Sequence, residues 1–148
     1  MLDSFIIVLV IIAVCYFLFR KQSTSPSVIG NLPGPGNYDF DIVGESNYQD
    51  ALEEICGGKS EESAEHYTEA VLYLEDDNQY DSKAVRVDID DHTVGYLSRN
   101  NARAYRKQLK SMGHENLICT CKAVIVGGWK RSKSDEGNFG VKLDLPVS

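Results

Sequence analysis

The stretch Asn78–Val87 constrains the fold most, because it joins a polar turn to a strand with a two-residue period. Asn78 and Asp81 are typical of turns, since their side chains can bond nearby backbone groups. Residues 84–89 alternate between apolar and polar side chains, which is the pattern of a half-buried strand. Tyr80 lies inside the turn. An aromatic ring on a polar loop either packs over the core or offers a surface on which a flat ligand stacks.

The same patterns along the chain predict six strands and two helices. The predicted strands are Tyr38–Gly44, Val71–Leu74 with a start nearer His66, Ala84–Ile89, Thr93–Leu97, Leu117–Val126 and Phe139–Leu145. The predicted helices are Asn47–Cys56, with Asn47 as N-cap and Gly57 at its end, and Arg99–Met112, with Ser98 as N-cap and Gly113 at its end. A hairpin is expected to turn at Asp90-Asp91-His92. These elements indicate a mainly β fold, a small six-stranded barrel with two α-helices.

An unbroken apolar run, Phe5–Phe19, precedes this domain. As a helix it spans about 22 Å at ~1.5 Å per residue, and the residues before it extend it towards the ~30 Å of a hydrocarbon core. A signal peptide is the alternative, but it needs a positive start and small residues at its cleavage site, where this chain has Asp3 and bulky aromatic residues. Arg20 and Lys21 follow the run. We therefore predict a single-pass membrane anchor over residues 1–21, with the domain facing the cytoplasm.

Residues 22–37 contain three prolines and three glycines among sixteen positions and few apolar side chains. This composition does not sustain a helix and is typical of a flexible linker. We therefore predict a linker over residues 22–37 and one domain over residues 38–148.

The charge is distributed unevenly along the chain, which has a net charge of −7. Residues 38–97 contain 17 acidic and 3 basic side chains, whereas residues 98–133 contain 9 basic side chains and one acid, Glu115. Such asymmetry is more informative than the total, because a local basic surface can attract polyanions on an acidic protein.

The predicted helix Arg99–Met112 carries much of this basic charge. Its apolar face is predicted to comprise Ala102, Tyr105, Leu109 and Met112, and a separate stripe comprises Arg99, Arg103, Arg106 and Lys110, with Lys107 beside it. Nucleic-acid phosphates and anionic lipid headgroups are both credible partners for this stripe. A second basic group, Lys130-Arg131-Ser132-Lys133, follows Trp129, which either packs on the core or stacks on a base.

The sequence offers little for catalysis or metal binding. Gly57-Gly58-Lys59-Ser60 imitates the end of a phosphate-binding loop but lacks its first glycine, and the cysteines and histidines lack the paired spacings of a zinc site. Cys119 and Cys121 lie two apart in a predicted strand and are expected to be buried free thiols. We expect no enzymatic activity, no cofactor and no metal.

Three motifs in this order resemble a HIRAN domain: Ile42–Leu52, then Asn78-x-Tyr80-Asp81-x-x-Ala84-Val85-x-Val87, then Val94–Leu97. The resemblance extends from about Tyr38 to Leu145. It implies an OB-like barrel flanked by helices and a non-enzymatic module that captures the free 3′ end of single-stranded DNA. A membrane-tethered module that binds a protein or anionic lipid is the alternative.

The resemblance also implies roles for individual residues. Asn78, Tyr80 and Asp81 match the family's pocket motif, in which Tyr80 would stack on a base and Asp81 would bind the terminal hydroxyl. Asn47 and Tyr48 stand where the family has a tyrosine pair, Ser46 replaces a basic residue, and Tyr96 replaces a histidine. Contacts to the phosphates would then fall to the basic helix, through Arg99 and Arg103, or to Lys130 and Arg131.

Overall fold

The computed structural model describes residues 6–13 and 30–147. Its strands are β1 Gly30–Asn31, β2 Phe40–Val43, β3 Ala64–Glu75, β4 Ala84–Ile89, β5 His92–Leu97, β6 Cys119–Gly127, β7 Lys130–Ser132, β8 Asp135–Glu136 and β9 Phe139–Asp144. The helices of the domain are α1 Gln49–Cys56 and α2 Arg99–Ser111, and a 3₁₀ turn, Glu45–Asn47, precedes α1. The six predicted strands and both predicted helices are thus confirmed.

Six strands close into an antiparallel barrel in the order β6-β3-β4-β5-β2-β9, and β9 pairs again with β6. Strand β3 extends well beyond its apolar residues Val71–Leu74 and begins at Ala64, close to the predicted start near His66. It is this long because it pairs with β6 from Ala64 to Leu72 and with β4 from Val71 to Glu75. Its first half is mostly exposed and polar, so hydrophobic periodicity gives no signal there. The short β7–β8 hairpin was not predicted from the sequence.

The alternation in β4 determines which of its side chains enter the barrel. Val85, Val87 and Ile89 are fully buried, whereas Arg86 and Asp88 are only partly buried on the other face. The hairpin to β5 turns at Asp90 and Asp91, which both have positive φ, as a two-residue type I′ turn requires. The predicted three-residue turn is therefore one residue too long, since His92 already belongs to β5.

Helix α2 begins at Arg99 as the sequence predicts and ends at Ser111, one residue before the predicted end. The Ser98 hydroxyl accepts a hydrogen bond from the Asn101 amide at 3.2 Å, and the chain turns after the helix at Gly113, whose φ is +78°. Ala102, Tyr105 and Leu109 are buried as predicted. Met112 was predicted wrongly to be buried with them: it lies beyond the last helical residue and is exposed.

The predicted N-cap of α1 is also wrong. Asn47 ends the 3₁₀ turn, and Tyr48 occupies the cap position without a side-chain cap bond. The reason is that Gly44, at a φ of +83°, starts a separate 3₁₀ turn before the α-helix. Gly57 does end α1, in the left-handed conformation.

The chain joins the barrel earlier than the predicted domain boundary. Residues 30–37 belong to the domain and not to the linker, because β1 pairs with β6 and the Gly36 amide donates to both carboxylate oxygens of buried Asp144. The rest of the predicted linker lies outside the described residues, as does most of the predicted anchor; residues 6–13 are helical. No helix in the described parts of the chain combines the length and apolar character needed to span a membrane.

Gly95 allows strands β2 and β5 to approach each other closely. A Cβ atom at this position would lie 2.6 Å from the carbonyl oxygen of Val43 and 2.8 Å from Cδ1 of Ile42, and its φ is +155°. We expect Gly95→Ala to lower the free energy of unfolding by about 2–4 kcal/mol, because it combines overpacking with an unfavourable φ. Chemical denaturation measures this.

Gly44→Ala is the matched control. Gly44 also has a positive φ, but a Cβ atom there would meet nothing within 4 Å. We expect it to cost about 1–2 kcal/mol from the backbone conformation alone. Equal losses for the two variants would show that the close approach at Gly95 does not matter.

Candidate functional site

An open cleft of about 550 Å³ lies where the end of β2, the start of α1, the β3–β4 loop (residues 76–83) and the end of β5 meet. Six of the ten site residues selected from the sequence line it: Tyr48, Asn78, Tyr80, Asp81, Tyr96 and Arg99. They come from four separate segments, so the barrel topology alone brings them together. Val43, Gly44 and Leu97 complete the apolar wall.

Asn78 shapes the β3–β4 loop. Its Oδ1 accepts hydrogen bonds from the amides of Tyr80 at 2.9 Å and Asp81 at 3.0 Å, and its Nδ2 donates to Glu75 at 3.2 Å. This Asx arrangement holds the backbone so that the Tyr80 side chain is 82% exposed. Tyr80 therefore does not pack over the core, and its ring is available to a ligand.

Asp81 is held by an arginine of α2. Its carboxylate accepts two bonds from Arg103, at 3.1 and 3.2 Å, and one from the Lys83 amide at 3.0 Å. These bonds, with the Arg103 side chain first, lower the pKa of Asp81 below its usual value, so the carboxylate stays ionised. An ionised carboxylate has about four acceptor positions. Three of them accept hydrogen bonds. The fourth, on Oδ2, accepts none and is open to a ligand hydroxyl, although Nε of Arg99 lies 3.9 Å from that oxygen.

The arginines of α2 clamp the β3–β4 loop. Arg106 donates to the carbonyls of Lys83 at 2.8 Å and Ala84 at 2.9 Å and pairs with Asp76 at 2.6 Å, and Arg99 donates to the Tyr80 carbonyl at 3.4 Å. Arg106, and in part Arg103, are thus occupied by contacts within the protein, which the helical pattern of the sequence does not reveal. Arg99 remains largely exposed at the cleft, with 71% of its side chain accessible.

Glu75 supports the cleft through its hydrogen bond with Asn78, and no sequence pattern points to it. Burial and then the neighbouring Glu75 carboxylate raise the pKa of Tyr96 to about 12, so the Tyr96 hydroxyl stays protonated. Burial alone would raise the pKa of Glu75, but the hydrogen bonds from Asn78 and Arg86 and the charge of Arg86 help to outweigh it, and that pKa is lowered. Arg86 also pairs with Asp88 at 2.9 Å. Glu75 and Arg86 can be placed side by side only when the register between β3 and β4 is known, and the sequence alone does not give that register.

The remaining predicted site residues lie elsewhere. Asn47 is exposed but is not among the residues that line the cleft. Lys130 and Arg131 lie in the β7–β8 hairpin, where they pair with Glu136 at 3.9 Å and Asp135 at 3.7 Å.

Trp129 packs within the same hairpin. Its indole nitrogen donates to Asp135 at 3.1 Å, and its ring covers Gly137 so closely that a Cβ there would clash. The Trp129 ring is thus used for packing. The cleft of about 550 Å³ is built without this second basic group.

The cysteines of the barrel are inert in this arrangement. Cys119 and Cys121 are buried free thiols, as predicted, and burial followed by the nearby charge of Asp144 raises the pKa of Cys121 to about 12. Within residues 6–13 and 30–147, no three His, Cys, Asp or Glu side chains are grouped to hold a metal ion. The cleft itself offers aromatic faces, one carboxylate acceptor and an exposed guanidinium, which suit recognition of an aromatic, hydroxylated, anionic ligand.

No protein-family model matches the sequence, and no curated protein matches it. Among solved structures, the chain is similar to a crystal structure of a protein from Lactobacillus plantarum, with 20% sequence identity and a TM-score of 0.35 over 71% of this chain and 90% of that one.

Proposed function

We propose that the protein is a HIRAN-like, non-enzymatic module that binds the 3′ end of single-stranded DNA in the cleft between Tyr48, Tyr80 and Tyr96. The observation that carries the proposal is the convergence of these aromatic side chains with Asp81 and Arg99 in one open cleft. Aromatic platforms beside positive charge are the usual means of binding single strands without regard to sequence.

Each side chain has a physical role in this proposal. The exposed Tyr80 ring would stack on the terminal base, and the tyrosine rings of the cleft wall would enclose it. The open acceptor position on Oδ2 of Asp81 would take the proton of the 3′-hydroxyl in a hydrogen bond. The exposed guanidinium of Arg99 would contact the phosphate next to that nucleotide.

The proposal includes the location of the protein. Residues 1–21 would anchor it in a membrane, with the OB-like domain on the cytoplasmic side, since Arg20 and Lys21 follow the apolar run. Recognition of DNA ends would then take place at the inner membrane surface.

The proposed end recognition predicts a preference for a free 3′-hydroxyl. The full-length protein is expected to bind an oligothymidylate with a 3′-hydroxyl about 10- to 150-fold more tightly than one with a 3′-phosphate, because a hydrogen bond to a charged group contributes about 1.5–3 kcal/mol. The 3′-phosphate also places negative charge beside ionised Asp81. Fluorescence anisotropy measures both affinities.

Modification of the other end is the control for this comparison. A 5′-phosphate should change affinity little, because the opposite end does not enter the cleft. Equal affinity for free and phosphorylated 3′ ends would contradict end recognition.

A further inference from the structure

A second groove, of about 570 Å³, lies on the opposite side of the Asp81–Arg103 ion pair, between the β3–β4 loop and the C-terminal half of α2. Five cationic side chains line it: Lys83, Arg103, Arg106, Lys107 and Lys110. Two acids, Asp76 and Glu115, also line it, so the groove is clearly positive although the whole chain is acidic.

The charges in this second groove are not all available. Arg103 and Arg106 are engaged with the carboxylates of Asp81 and Asp76. Lys83, Lys107 and Lys110, by contrast, are exposed, and none of them forms an ion pair within the part of the chain that the structure describes. Three unpaired ammonium groups converging on one groove are a suitable surface for phosphates.

The second groove continues the cleft that holds Tyr80. Asp81 lines the cleft, Arg103 lines the groove, and the ion pair between them forms the divide. Residues Arg103 to Lys110 extend the basic surface by about 10 Å along the helix, at ~1.5 Å per residue. A strand whose last base lies on Tyr80 would cross this divide and bring its preceding phosphates to the lysines.

We propose that the second groove binds the phosphodiester backbone of the nucleotides that precede the 3′-terminal one. This inference rests on the proposed function for the direction of the strand. It assigns the cleft to recognition of the end and the groove to affinity that does not depend on sequence. Its continuity with the cleft favours a polynucleotide over a lipid headgroup.

The salt dependence of binding tests the proposal. We compare the full-length Lys107→Gln/Lys110→Gln variant with Lys122→Gln/Lys133→Gln, which removes the same charge from exposed lysines that line neither cavity. The probe is an oligothymidylate of about 12 nucleotides with a free 3′-hydroxyl, which is within the usual range of site sizes. The groove variant should reduce the slope of log K against log salt by about 1.4, since each single-strand phosphate contact contributes about 0.7. The control variant should leave the slope unchanged.

The measurements give different results if the groove proposal is wrong and if the proposed 3′-end recognition is wrong. If the groove variant loses salt dependence but wild type shows no 3′-end preference, the groove binds phosphates and the proposed end recognition is wrong. If the 3′-end preference persists and both double variants have the wild-type slope, the groove proposal is overturned. A groove variant that binds DNA normally but no longer binds phosphatidylserine vesicles would also overturn it, in favour of a lipid headgroup site.

Discussion

Replacing Tyr80 with alanine is expected to lower the affinity for a 3′-hydroxyl oligonucleotide by about 1–3 kcal/mol, or about 5- to 160-fold, which is the usual contribution of one stacked base. The free energy of unfolding should not change, because the Tyr80 side chain is 82% exposed and its ring supports no core contact. Fluorescence anisotropy and chemical denaturation of the same preparation measure the two quantities.

Two controls identify the cause of the loss at Tyr80. Tyr80→Phe keeps the aromatic face and removes only the hydroxyl, so it should retain most of the affinity if stacking is the contribution. Tyr67→Ala removes another exposed tyrosine, which is 59% exposed on β3 and lines neither the cleft nor the groove. It should bind like wild type. A loss of affinity in Tyr67→Ala as large as that in Tyr80→Ala would mean that DNA contacts a different surface.

Much of the barrel could be predicted because its determinants are local in sequence. The alternation in β4, the Ser98 cap and the turn-forming residues Asn78 and Gly113 each act through neighbours within a few positions. The strand β3 was expected to start near His66 and begins at Ala64, although its exposed polar first half has no hydrophobic period and is held as a strand by pairing with β6, some 60 positions later in the chain.

The residues that line the cleft could be predicted in part, but the ion pairs and hydrogen bonds of its charged side chains could not. Tyr48, Tyr80 and Tyr96 were selected as separate motifs, and the closure of the barrel brings them to one cleft. Helical periodicity placed Arg99, Arg103 and Arg106 on one stripe, but it cannot tell what lies opposite a helix. The stripe faces carboxylates and carbonyls of the β3–β4 loop, which are 19 to 30 positions away in sequence.

Arg106 is the residue of this stripe whose loss should affect the structure most. Only 14% of its side chain is exposed, and its guanidinium donates to the carbonyls of Lys83 and Ala84, where the loop enters β4. Arg106→Met keeps much of the apolar stem but leaves these carbonyls without their donor. We expect the free energy of unfolding to fall by about 1–3 kcal/mol, which is the cost of one unsatisfied buried group, because the Ala84 carbonyl is partly buried whereas the Lys83 carbonyl is exposed and can bind water. The pair with Asp76 contributes little, because that carboxylate is 69% exposed.

The loss of Arg106 should also weaken recognition in the cleft, because Arg106 holds the β3–β4 loop that presents Tyr80. In Arg106→Met, amide hydrogen exchange at Tyr80 and Asp81 should become faster, and the preference for a free 3′-hydroxyl should decrease, since a mobile loop must be ordered on binding. Arg106→Lys should behave almost as Met does, because an ammonium group cannot reproduce the guanidinium fork. Lys107→Met, on the neighbouring exposed position, should preserve both stability and end preference. If Arg106→Met kept the wild-type end preference despite its lower stability, the clamp would support only the fold, and the Asx arrangement of Asn78 would be enough to present Tyr80.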